Sequence, residues 1–310
     1  MEVKKTAASL LSMLVLASIG PIIHADPAGP GGAPDTAVQP APAPTTPKAP
    51  AGLLLRLKFK KGEVFVYRMT TTLSGSMTQG GRVIPMNTST SMVMDQKVKS
   101  VRADGAARLI VSMGSAVMTV QGRTIPMNAQ IRSMLTGNSM VMDTHGSIVT
   151  MDVNSSNPMA SMFSSSSGSG FLSGYAFPDG AVNIGDTWTK PYSIPAMGLN
   201  ATNTYSLANS WLQNGKQFVA IHSSASGNIS MQPNSQSQMA MNMSGPITTT
   251  SDIILDNTSG IVRQVKGSSH TQMSVNMTIP SQQGGPGTPQ TMTNDMTTST
   301  TLQLVRVEQH

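Results

Sequence analysis

The chain has 310 residues, a net charge of +6, only 11% charged and 4% aromatic residues, and no cysteine. Without cysteine there is no thiolate nucleophile, no disulfide and no Cys-ligated zinc. The basic clusters Lys58, Lys60, Lys61 and Lys97, Lys99, Arg102 lack interleaved aromatic residues, so no nucleic-acid partner is expected.

Residues 1–25 read as a secretory signal: Lys4 and Lys5 form a basic start, and Ala7 to Ile19 is an apolar core of the length export signals use. Ile23-His24-Ala25 places cleavage between Ala25 and Asp26. The run falls short of the roughly 20 residues a spanning helix needs, so membrane contact is expected only during export. The place of the protein is then periplasmic or extracellular. Residues 26–52 are rich in Pro and Ala, a composition that buries too little apolar surface to offset its ordering entropy and reads as a disordered linker.

Residues 53–310 read as one β domain. Leu53, Leu55, Leu57 and Phe59 alternate with polar or exposed-type neighbours, the period of a half-buried strand. After Gly62-Glu63 a strand is expected over 64–72, then a hairpin of 92–101 and 107–120 about Asp104-Gly105, and another of 139–143 and 147–153. A short helix is expected over 128–135. Residues 155–175 are Ser/Gly-rich and read as a connection between halves. Strands over 187–192, 202–212, 217–231, 248–256, 261–277 and 291–307 complete the chain, with Asn214-Gly215 as its clearest hairpin signal and 232–246 as an excursion.

Three landmarks recur in one order. Gly62-Glu63-Val64-Phe65 is answered by Gly185-Asp186-Thr187-Trp188, Asp104-Gly105 by Asn214-Gly215, and the stretch Asp143 to Val149 by Asp256 to Val262. The expected fold is therefore all-β and antiparallel: two pseudo-repeated units, about 53–154 and 176–310, forming a strongly curved sheet, half-barrel or sandwich. A smaller echo links Gln79 to Asn87 with Gln121 to Asn128.

Methionine is abundant, 25 of 310 residues, and often spaced Met-x-Met. Thioethers select soft ions such as Cu(I) or Ag(I), and Met239, Met241 and Met243 share a face if they lie on a strand. Met also fills irregular cores where aromatic residues are scarce, or lines pliable apolar grooves. Core packing is the favoured reading. His145, His222 and His270 lack ligand-pair spacing. Asp104, Asp143, Asp179 and Asp256 sit at turn positions, where Asp bonds its own backbone. Trp188 and Trp211 read as core anchors of their strands. No catalytic residue and no cofactor is indicated, and a non-enzymatic protein is expected.

The stretch Leu55 to Met69, with Phe177-Pro178-Asp179, Ile184 to Trp188 and the closing strand Thr298 to Val307, resembles a family of exported bacterial β proteins, a domain of unknown function. The resemblance implies fold landmarks and carries over no catalytic residue. In texture the Met/Thr strands are also similar to periplasmic lipoprotein carriers, whose curved half-barrels cradle acyl chains, although this chain has no lipobox cysteine. That likeness implies an envelope binding module for a lipid-like ligand or lipoprotein. The alternatives are a structural or surface-interaction protein of the envelope and Met-based Cu(I)/Ag(I) binding.

Overall fold

The computed structural model describes residues 52–126, 138–152, 175–194, 199–231, 241–279 and 288–309. The signal and cleavage site, the linker up to residue 51, the expected helix over 128–135 and most of the Ser/Gly connection lie outside the described residues. Twelve strands are formed: β1 (Glu63–Gln79), β2 (Arg82–Val101), β3 (Ala107–Val120), β4 (Arg123–Pro126), β5 (Asn138–Met142), β6 (Ile148–Asp152), β7 (Thr187–Ile194), β8 (Leu199–Gln213), β9 (Lys216–Met231), β10 (Met241–Asp256), β11 (Ile261–Ile279) and β12 (Thr288–Gln309). No helix occurs among the described residues.

All strands join one antiparallel sheet in the order β6-β5-β3-β2-β1-β12-β11-β10-β9-β8-β7, with β4 also on β3. β4 and β5 pair with successive stretches of β3, so they are two pieces of one interrupted strand position. Each strand lies beside its sequence neighbour, and β1 pairs with β12 along its whole length. This is the order of an up-and-down barrel opened at one seam, between β6 and β7, where no pairing occurs among the described residues. The expected all-β, antiparallel, curved architecture is present.

The curvature is visible in the packing. Met140 and Met142 of β5 share a buried cluster with Leu207 of β8 and Val219 and Ile221 of β9, although these strands sit at opposite ends of the sheet order. One face thus turns inward. Along β1 the inward residues Tyr67, Met69, Thr71 and Leu73 are buried, while Arg68, Thr70, Thr72 and Ser74 are exposed, the alternation that the strand period of two demands.

One end of the curled sheet is closed by two extended segments, 52–61 and 175–186, which precede β1 and β7. They meet in a bridge, Leu53 with Val182, and carry Leu55, Leu57 and Phe177 into the core. The expected strand over Leu53 to Phe59 is therefore corrected: its alternation is real, with Leu55 and Leu57 buried and Leu54 exposed, but it joins no ladder. Its amides reach turns instead, Leu57 N–H to the Thr144 carbonyl at 2.7 Å and Lys58 N–H to the Gly260 carbonyl at 3.1 Å.

The repeated landmarks occupy equivalent places. Glu63 accepts the Lys60 N–H and Asp186 accepts the Asn183 N–H, each from three residues back. Gly62 N–H bonds Val98 and Gly185 N–H bonds Leu207, at 2.9 and 2.8 Å. In the third landmark the Asp143 carboxylate accepts the His145 and Ser147 amides, and Asp256 accepts that of Ser259. Gly146 and Gly260 both take positive φ, 86° and 66°. Each lies against the segment leading into the other half: a Cβ at Gly260 would stand 2.5 Å from Lys58 N, and one at Gly146 would run into the Tyr175 carbonyl.

Several local expectations differ from the structure. Asp104-Gly105 is a wider turn than the two-residue type: only Gly105 has positive φ, and the Asp104 carboxylate bonds the Ala106 N–H. The two-residue turns with both centres at positive φ are Gly80-Gly81, Gln121-Gly122 and Asn214-Gly215, so the smaller echo marks two like hairpins. Residues 241–246 belong to β10 rather than to an excursion; Gly245-Pro246 interrupts its ladder with β11, since Pro lacks an N–H. Trp188 stacks on Tyr205 at 5.6 Å and donates to the Ala176 carbonyl. Trp211 is not a core anchor: a bulge between Leu207 and Asn209 flips the parity of β8, and Trp211 stacks on Phe218 across the strands, 5.7 Å away, on the other face.

Asp256 ties this end together. Its buried carboxylate lies 2.7 Å from Arg263 and 3.6 Å from Lys216. Burial by itself pushes its pKa up; hydrogen bonds from Arg263 and Ser259 and the Arg263 charge outweigh that, and the net shift is downward. A depressed folded-state pKa contributes stability that is fully present above the unfolded value of about 3.9 and is lost as pH falls through the folded value. Asp256→Asn is expected to cost about 2 kcal/mol at neutral pH, reduced from the fully buried case because both cations are partly exposed, and to flatten the loss of stability below about pH 4. Denaturant melts of both proteins across pH 2–7 check this. Gly260→Ala is expected to destabilise by more than about 1 kcal/mol, through positive φ and collision with Lys58; a thermal melt reads it.

Candidate functional site

Registered pairing lets the inward face be read row by row. One row runs Thr90, Thr71, Thr300, Gly267, Ser251, Ser223 across β2, β1, β12, β11, β10 and β9. The side chains that carry hydroxyls here are buried. Thr71 bonds Thr300 at 3.2 Å and Ser223 bonds Ser251 at 3.0 Å, so buried hydroxyls satisfy one another across the ladder, as buried polar groups must. Two rows further from the closed end come Met86, Gly75, Met296, Thr271 and Ile247, and then Ile84, Met77, Asn294 and Met273.

A polar belt therefore separates two apolar regions. The closed end holds the larger cluster around Leu55, Phe177 and Leu207. The far, distal region is built from Leu73, Met86, Leu199, Ile229, Met243, Ile247, Met273, Val275 and Met296, with Met77 and Met292 beside it. It is methionine-rich and contains no aromatic residue. Thioether chains are flexible and polarizable, which makes this the more deformable of the two cores.

Two polar atoms stand out in it. Thr271 Oγ1 and Asn294 Oδ1 are buried and have no hydrogen-bond partner. They occupy adjacent strands within two residues of Met273 and Met296 in the ladder. A buried acceptor or hydroxyl left unpaired costs about 1–3 kcal/mol. Moving outward along the inner face of β2, exposure rises from 7% at Met86 to 38% at Ile84, and Arg82 is exposed. The apolar wall thus emerges from the core and ends in a cation.

Of the candidate trio, Met239 lies outside the described residues. The Met241 backbone pairs with Met277, and Met243 is buried at 5% exposure in the distal cluster. The cluster brings Met86, Met243, Met273 and Met296 together from β2, β10, β11 and β12, a convergence the local Met-x-Met spacing does not reveal. The histidines are kept apart, each near one carboxylate: His145 with Asp179 at 3.5 Å, His222 with Asp252 at 2.8 Å and His270 with Asp295 at 3.7 Å. Among the described residues no three His, Asp or Glu side chains gather as metal ligands would. Burial pushes the hydroxyls of Tyr67, Tyr175 and Tyr205 upward in pKa, which keeps them neutral.

The fold defines an all-β protein, a single antiparallel meander curled about an apolar interior. Over residues 171–262, spanning β7 to β10 and the first residues of β11, the chain matches a family of unknown function, DUF6263. No curated protein matches. Among solved structures, variants of the porin of Rh. blastica are similar at 10% identity over 76% of this chain and 99% of theirs, with TM-scores of 0.21 and 0.20; likeness at that level carries no inference. The outer face of β1 is polar over Arg68, Thr70, Thr72 and Ser74.

The belt and the distal site respond differently to loss of a hydroxyl. Thr71→Val strands the Thr300 hydroxyl and is expected to cost about 1–3 kcal/mol, whereas Thr271→Val removes an unpaired group and is expected to be neutral or stabilising in ligand-free protein. Paired urea melts test the contrast.

Proposed function

We propose that this is a non-enzymatic exported binding module that takes a hydrophobic, lipid-like ligand into the distal half of its curled sheet. The observation that carries the reading is the distal inner face itself. Met273 and Met296 pair in the ladder with the residues that carry two buried polar atoms without partners, Asn294 and Thr271, and the apolar face continues through the half-exposed Ile84 to the rim. Ligand sites combine apolar lining with a few convergent polar groups, and Met lets such a lining repack around different shapes. Among the described residues β6 and β7 do not pair, and a sheet without that ladder resists widening at its distal end less than one closed all round.

Native mass spectrometry of protein purified without detergent, with organic extraction of the same sample, is expected to reveal co-purifying lipid. Uptake of a fluorescent fatty acyl probe is expected to fall at least tenfold in Met273→Asp. No bound lipid together with no probe uptake would overturn the reading. The gathering of Met86, Met243, Met273 and Met296 in one cluster supports a second reading, Cu(I) or Ag(I) binding. It predicts removal of Cu(I) from a chromophoric chelator under reducing conditions, and an unchanged chelator spectrum would exclude it.

A further inference from the structure

The charges on the inward face narrow the ligand. From the hydroxyl row outward, the described inward positions are read from the ladders: on β1 Leu73, Met77 and Gln79; on β2 Met86, Ile84 and Arg82; on β3 and β4 Met118, Val120, Ile125 and Arg123. Arg82 pairs with Gln79, and Arg123 with Val120, which itself faces Thr88; both arginines are therefore on the inward side and both are exposed. On β7, Lys190 lies two residues beyond Trp188 and so shares its face.

Arg82, Arg123 and Lys190 are the charged residues at described inward positions of this half, and no carboxylate joins them. Asp295, the nearest acid by register, pairs with Ser76 on the outward side. Lys190 does approach Asp179 at 3.9 Å, but that carboxylate belongs to the segment before β7 and is 87% exposed. Lys190 stands on β7, at the edge of the open seam, Arg123 on β4, which pairs with β3, and Arg82 on the distal rim. The smaller sequence echo acquires a meaning here. Arg82-Val83-Ile84-Pro85 and Arg123-Thr124-Ile125-Pro126 each follow a two-residue turn, and each sets an Arg and an Ile side by side on the inward face.

We propose that the ligand is an amphiphile with an anionic head group, a carboxylate or a phosphate, seated at the rim against the Arg82 guanidinium, with its acyl tail on Ile84, Met77, Met86 and the distal methionines; Arg123, three inward rows deeper by register, adds to the positive field without touching the head. This rests on the hydrophobic-ligand reading above and adds the sign of the head. Cations with no carboxylate among the inward positions give this side of the sheet a positive potential, and because both arginines are exposed it is felt most at low salt. Arg presents planar paired donors suited to carboxylate and phosphate oxygens.

The test is a displacement titration of the purified protein with palmitate, hexadecanol, hexadecylammonium and dipalmitoyl-phosphatidylglycerol, at 20 and 300 mM salt. Palmitate or the phosphatidylglycerol is expected to bind at least tenfold more tightly than hexadecanol at low salt, with the margin shrinking at high salt. Which of the two binds identifies a free acid or a phospholipid as the source. Arg82→Gln with Arg123→Gln is expected to erase the margin while leaving hexadecanol binding and the melting temperature unchanged; Arg82→Lys with Arg123→Lys is expected to restore much of it. If hexadecanol or the ammonium binds as well as the acids, the anionic-head inference is overturned and the hydrophobic-ligand reading stands. If none of the four binds, both are overturned.

Discussion

The pairing of β1 with β12 holds the molecule together. It runs from Glu63 opposite Gln309 to Gln79 opposite Met292, and it sits in the middle of the sheet order. Each half of the chain is a meander that extends from this seam in opposite directions. Without it there would be two shorter sheets with two further unpaired edges, each edge an invitation to wrong pairing. Joining residues so far apart in sequence incurs a large loop-closure entropy before any contact offsets it. The local two-residue turns lessen the remaining search, since each fixes the register of its own hairpin.

With the seam in place, one face of every strand is turned toward the same interior. That interior cannot be aromatic, because the chain has only six Phe, four Tyr and two Trp. At the closed end, Phe65, Phe177, Tyr67 and Tyr205 are spent together with leucines, and the segments before β1 and β7 fill the remaining space. The distal end is filled by methionine. Between them the Thr/Ser belt satisfies its hydroxyls across strands. The result is an aromatic- and leucine-packed end and a deformable, methionine-packed end in one sheet, and the inward cation Arg82 stands at the rim of the deformable one.

The doubled landmarks were legible in sequence because turns depend on local chemistry. Gly62 and Gly185, Asp143 and Asp256, Gly146 and Gly260 are demanded by positive φ or by side-chain bonds to nearby amides, and such requirements show in the residues themselves. Their shared purpose was not legible. Gly260 meets Lys58, and Gly146 meets Tyr175, contacts between distant parts of the chain that no window of sequence contains. The segment 53–59 misleads for the same reason: alternation reports one buried and one exposed side, and says nothing about whether a strand or a turn supplies its hydrogen-bond partners. Trp211 was misplaced because a bulge shifts parity, and a bulge leaves the composition of a strand unchanged.

By itself the sequence determined the class of fold, the stretches that become most of the strands and the positions of most turns, since β periodicity and turn residues act over a few residues. The tertiary structure alone decided which face became the interior of each half and which strands became neighbours across 200 residues and more of chain. It also decided that Met86, Met243, Met273 and Met296 would gather in one region with Arg82 and Arg123 on the same face. Register, set by β1 and β12 meeting, brings those residues together; spacing along the chain does not contain that information.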